Sequence, residues 1–102
     1  MNNSQNLNQS INFQNGSIVS KEIIDKPAGT ITLFAFDKDQ RLSEHTAPYD
    51  AFILVTEGNA EITVSGVINT VKSGESILMP ANSPHSLKAL EPFKMLLIMV
   101  KS

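Results

Sequence analysis

From Ser17 onward the chain is cut at close intervals by Gly, Pro, Asn and Asp, and between the cuts lie short runs of β-branched and aromatic residues. Helices need longer stretches with apolar residues recurring at helical spacing, and no convincing one is present, so the pattern predicts an all-β fold. The expected strands are Ile18 to Ile24, Thr30 to Phe36, Ala51 to Thr56, Glu61 to Ser65, Val67 to Val71, Ser76 to Met79, His85 to Leu90 and Lys94 to Val100. Glu61 to Val71 reads as a hairpin, because Ser65 and Gly66 form a short turn in which glycine accepts positive φ.

Side chains alternate across a strand, so Ile31, Leu33 and Ala35 share one face of their strand and Thr30, Thr32, Phe34 and Phe36 the other. Both faces are apolar, and the same holds for Lys94 to Val100. Strands of that kind form a barrel wall covered on its outside by another sheet or another subunit. A chain of 102 residues has room for one such core and no second catalytic module. Stability in so small a domain is expected to come in part from self-association as a homodimer, with Ile18, Val19, Ile23 and Ile24 at the contact.

Eight Lys and Arg against ten Asp and Glu give a net charge of −2 and no basic stripe, so nucleic acid is not an expected partner. The absence of cysteine excludes disulfides, thiol catalysis and cysteine-based zinc knuckles, and fits the cytoplasm. The longest apolar run, Met95 to Val100, is far shorter than a membrane helix, and neither a signal peptide nor a membrane partner is expected. Residues 1–16, rich in Asn, Gln and Ser, read as a partly disordered polar tail ahead of a barrel spanning residues 17–102.

Two stretches carry candidate chemistry: Asp37 to Gly58, with His45, and Gly74 to Ala89, with Pro80, Asn82 and His85. Together they resemble the two motifs of the cupin superfamily, separated by the Glu61 to Val71 hairpin. Gly74, Pro80 and His85 match the second motif in spacing, with Asn82 in place of its middle glycine and Ala89 in place of its final asparagine. His45 and Gly58 match the first, where Asp37 replaces the opening glycine and Ser43 the first histidine. The motif's glutamate is missing: counted from Gly58 it falls at Ala51, counted from His45 at Asp50. The resemblance implies a single antiparallel jelly-roll barrel, the double-stranded β-helix of the RmlC-like cupins.

In that family three histidines and a glutamate converge on a divalent metal inside the barrel, and by position only His45 and His85 carry over. Two imidazoles with waters hold Fe, Mn, Ni or Zn weakly, since tight sites use three or four protein donors. Two neutral imidazoles hydrogen-bonded to backbone, or to each other through water, would satisfy the same residues. Ser43, Tyr49 and Asp50 are candidates for a further polar contact, and Phe36, Met79 and Met95 for the wall of a ligand pocket. Two functions follow: a barrel that binds a small molecule unchanged, with or without a metal, or a metal-dependent dioxygenase or isomerase acting through His45 and His85.

Overall fold

A computed structural model of the chain describes residues 4–101. Nine strands run through them: β1 Ile18–Lys26, β2 Gly29–Phe36, β3 Arg41–His45, β4 Asp50–Glu57, β5 Asn59–Val64, β6 Val67–Lys72, β7 Ser76–Met79, β8 His85–Lys88 and β9 Phe93–Val100. They form two antiparallel sheets, ordered β1-β2-β9-β4-β7 and β3-β8-β5-β6. Apart from the β1–β2 and β5–β6 hairpins, consecutive strands alternate between the sheets in a jelly-roll manner, and the inward side chains of both make the core. Its largest members, Phe36, Ile53, Ile62, Phe93 and Met95, are fully buried, and the Phe36 and Phe93 rings stack with centroids 4.6 Å apart. No helix among the described residues is long and apolar enough to cross a membrane.

Eight of the strands fall where the sequence places them. The β5–β6 hairpin closes through Ser65 and Gly66, at φ 50° and 80°, the paired positive values that match the twist of the flanking strands. Asn82 adopts φ 67°, so asparagine supports the left-handed turn that a glycine would otherwise make. Arg41–His45 is a strand in addition to the eight expected. Most of its side chains are exposed and its periodicity is broken by a bulge, so it lacks the usual strand signature.

Residues 4–16, read from composition as a loose tail, lie along the outer face of the five-stranded sheet. Ile11 is buried there with Leu33 and Ala35, beside Phe13, Val19 and Leu96. Lys94, only 7% exposed, donates from Nζ to the Asn8 carbonyl at 2.5 Å, and the same Nζ lies 4.9 Å from the centre of the Phe13 ring. Asn8 Nδ2 donates to the Thr56 carbonyl, and Asp37 Oδ2 accepts the Gly16 N–H. One apolar anchor and a few main-chain contacts suffice, which composition does not reveal. The outward side of β2 is therefore covered at Leu33 and Ala35 by the chain itself, and Ile18 and Val19 are likewise packed within the subunit. Left open on this face is a row across all five strands, Ile24, Ile31, Ile98, Phe52 and Leu78, each opposite the next in the strand register.

Candidate functional site

Histidines 45 and 85 close one end of the barrel. They sit directly opposite each other in the β3–β8 register, so their rings meet edge to face with centroids 4.2 Å apart. The Nε2 atoms are 2.9 Å apart, while His45 Nδ1 lies 2.8 Å from the Ser43 carbonyl and His85 Nδ1 lies 3.1 Å from that of Ser83. A carbonyl only accepts, so each Nδ1 must carry a proton to make its bond. Three contacts then require three protons, whereas two neutral imidazoles supply two. Both Nε2 lone pairs are left facing one another, an arrangement satisfied by one cation placed between them.

Behind the pair lies a cavity of about 60 Å³ walled by Phe34, Leu42, Ala47, Ala51, Ile53, Met79, Leu87, Met95, Leu97 and Met99. Its lining is apolar apart from the two imidazoles, and its volume corresponds to about two waters. Met79 and Met95 occupy the wall expected of them. Phe36 lies in the core beneath, stacked on Phe93 and outside the cavity lining. Leu42, Ala47, Leu87 and Leu97 line the cavity without having been singled out by sequence. For Leu87 and Leu97 the signal was available, because strict alternation places them on the face of known inward neighbours.

The three polar candidates lie elsewhere. Alternation predicts Ser43 on the inward face with His45, but the register shifts between Leu42 and His45, which pair with Leu87 and His85 respectively. The extra residue of the bulge lets Leu42 and His45 both face the cavity and sends Ser43 and Glu44 to a shallow groove of about 290 Å³ on the outer face. Asp50 is held on the outside, where its Oδ1 accepts the Ala81 N–H at 2.8 Å and fixes the turn before β8. Tyr49 is exposed beside the Lys101 ammonium, 5.6 Å from its ring centre, and does not line the cavity. No third His, Cys, Asp or Glu joins the two histidines among the described residues.

The sequence model of the cupin domain family matches residues 32–100. The chain is a cupin. Among solved structures it is similar to a conserved protein of unknown function from Streptococcus pyogenes, 35% identical over 97% of this chain and 87% of that one, with a TM-score of 0.93. A cupin 2 conserved barrel domain protein from Leptotrichia buccalis is 43% identical, with a TM-score of 0.92; the match covers 95% of this chain and 47% of that protein, about half its length. An RmlC-like cupin from Shewanella frigidimarina shares the fold at 18% identity, with a TM-score of 0.81 over 85% of this chain and 78% of that one. No curated protein matches the chain.

Within this cupin barrel, burial pushes the His85 imidazole below the ordinary histidine pKa and the neighbouring His45 adds to the effect, against the Ser83 carbonyl, which raises it. Because the folded value is depressed, the unfolded chain takes up the proton first as pH falls. The stability tied to His85 is thus complete above about pH 6.5 and is lost as pH drops from there toward the lower folded value. Metal-free protein is expected to show a lower urea midpoint at pH 5.5 than at pH 7.5, with a smaller difference in His85→Gln. Identical pH slopes in the two proteins would contradict this.

Proposed function

We propose that this cupin binds a small molecule at the mouth of the His45–His85 cavity, with a transition metal ion seated on the two Nε2 atoms. The observation that carries the reading is the pair of converging lone pairs, each imidazole fixed in its tautomer by a carbonyl behind it. Metal–nitrogen bonds of about 2 Å at angles of 90 to 120° set two ligand nitrogens roughly 2.9 to 3.5 Å apart, and the observed separation lies at the near end of that range. Two protein donors leave coordination positions for the ligand, and the metal when bound supplies Lewis acidity there. The small apolar cavity accommodates a short hydrocarbon part of the ligand and leaves its remainder at the mouth. Neither a turnover step nor a substrate is required by this reading, and the cytoplasm is its setting.

Elemental mass spectrometry on untagged protein, loaded with Zn(II) or Ni(II) and desalted, tests the metal seat. Wild type is expected to retain about one ion per chain and His85→Ala essentially none. Equal retention by the two proteins would place the metal elsewhere.

The same proposal includes a homodimer through the open row of Ile24, Ile31, Ile98, Phe52 and Leu78. Ile24, Phe52 and Leu78 are exposed, and a contiguous apolar surface of this kind is covered in most stable proteins. Light scattering at micromolar concentration should give twice the chain mass for wild type and the chain mass for Phe52→Glu. A monomeric wild type removes the dimer from the proposal.

A further inference from the structure

The cavity holds soft donors where a divalent ion would need hard ones. In the strand register Ala51 of β4 lies between Met79 of β7 and Met99 of β9, and all three side chains line the same cavity as His45 and His85. Neighbouring strands are about 4.8 Å apart, so the two thioethers flank a position that contributes only a methyl group. Methionine has three rotatable side-chain bonds and adapts its sulfur to a nearby partner without moving the backbone. No carboxylate lines this space, and the nearest in sequence, Asp50, is engaged with the Ala81 N–H on the outside.

Resting on the reading that the histidine pair seats a metal, we propose that the ion it selects is Cu(I), held by Nε2 of His45 and His85 with a thioether from Met79 or Met99. Two arguments favour it over the divalent ions. Thioether sulfur is a soft ligand that prefers Cu(I), whereas Fe(II), Mn(II) and Zn(II) gain more from carboxylate or thiolate donors that this cavity lacks. The solvation cost of burying an ion rises with the square of its charge, so a monovalent ion in an apolar wall without a compensating anion carries about a quarter of the penalty of a divalent one. Cu(I) also accepts a three-donor environment, the number these side chains supply, and the exposed edge of His45 gives it a way in.

Anaerobic competition with a chromogenic Cu(I) chelator is the test, run on wild type, the double variant Met79→Leu/Met99→Leu and His85→Ala, with Zn(II) competition in parallel. Methionine to leucine keeps volume and apolarity, so the barrel should be retained, which circular dichroism checks. Wild type is expected to bind one Cu(I) per chain, the double variant at least tenfold more weakly, and Zn(II) affinity to change less than twofold between them. X-ray absorption of Cu(I)-loaded wild type is expected to show a sulfur scatterer at about 2.3 Å. Equal Cu(I) affinity in wild type and double variant, or a copper shell without sulfur, would overturn the thioether assignment while leaving the histidine seat standing. Cu(I) and Zn(II) held as tightly by His85→Ala as by wild type would instead remove that seat, and the copper proposal with it.

Discussion

Gly58→Ala is expected to remove most of the stability of the barrel. Gly58 connects β4 to β5 at φ 74°, and a Cβ added there would lie 2.4 Å from the Pro92 carbonyl oxygen and 3.1 Å from Cα and Cβ of Phe93. The left-handed conformation alone costs a non-glycine residue about 1–2 kcal/mol. The overlap is worse, because its partners are backbone and the root of a fully buried ring at the start of β9. Together these amount to several kcal/mol in a fold whose total stability is on the order of 5–15 kcal/mol. Gly66→Ala is the control: φ is 80° there, yet a Cβ meets nothing within 4 Å. Thermal melts should place Gly58→Ala at least about 15 °C below wild type, with Gly66→Ala much closer to it. Similar losses in the two variants would mean that the approach of the β4–β5 turn to Pro92 yields easily.

Phe93→Ala is expected to cost about 3–5 kcal/mol, the range for emptying a buried aromatic site. Phe93 is fully buried, stacks on Phe36 with the rings 15° from parallel, and lies opposite it at the end of the β2–β9 register. The cavity so made cannot collapse readily, since strands on both sides are fixed by hydrogen bonds. At about 4–8 °C per kcal/mol for a domain near this size, the melting temperature should fall by some 12 °C or more. A loss below about 1.5 kcal/mol in urea unfolding would show that β9 shifts to fill the space. Alanine at 93 keeps the Cα and Cβ that a Cβ at position 58 would meet, so Phe93→Ala does not rescue Gly58→Ala.

The barrel was legible in the sequence because its turns are written in residues with few alternatives: Ser65-Gly66, Gly74, and Asn82 after Pro80 all stand where the structure reverses direction. Strands with apolar alternation were legible for the same kind of reason. Arg41–His45 was not, because its inward side is read from Leu42 and His45, three residues apart, a spacing that alternation assigns to opposite faces. Ser43 was placed inward by that rule and lies in the outer groove instead. The packing of residues 4–16 escaped notice since its main contributors are a carbonyl, an amide and Ile11, which become meaningful only once Lys94 and Leu33 stand opposite them. Of the site, the meeting of His45 and His85 follows from two positions far apart in sequence that a familiar pattern linked. Their proton deficit does not, for it depends on two carbonyl oxygens that no sequence pattern displays.

The bulge in β3 also sets how easily the chemistry of this barrel can change by mutation. The inward neighbour of His45 along β3 is Leu42, which already lines the cavity, while Ser43 points away from it. An imidazole gained at position 43 would therefore be spent on the outer surface, whereas Leu42→His would add a third nitrogen to the same wall. One residue thus separates a cavity wall with two imidazoles from one with three, a change that leaves every turn of the barrel as it is.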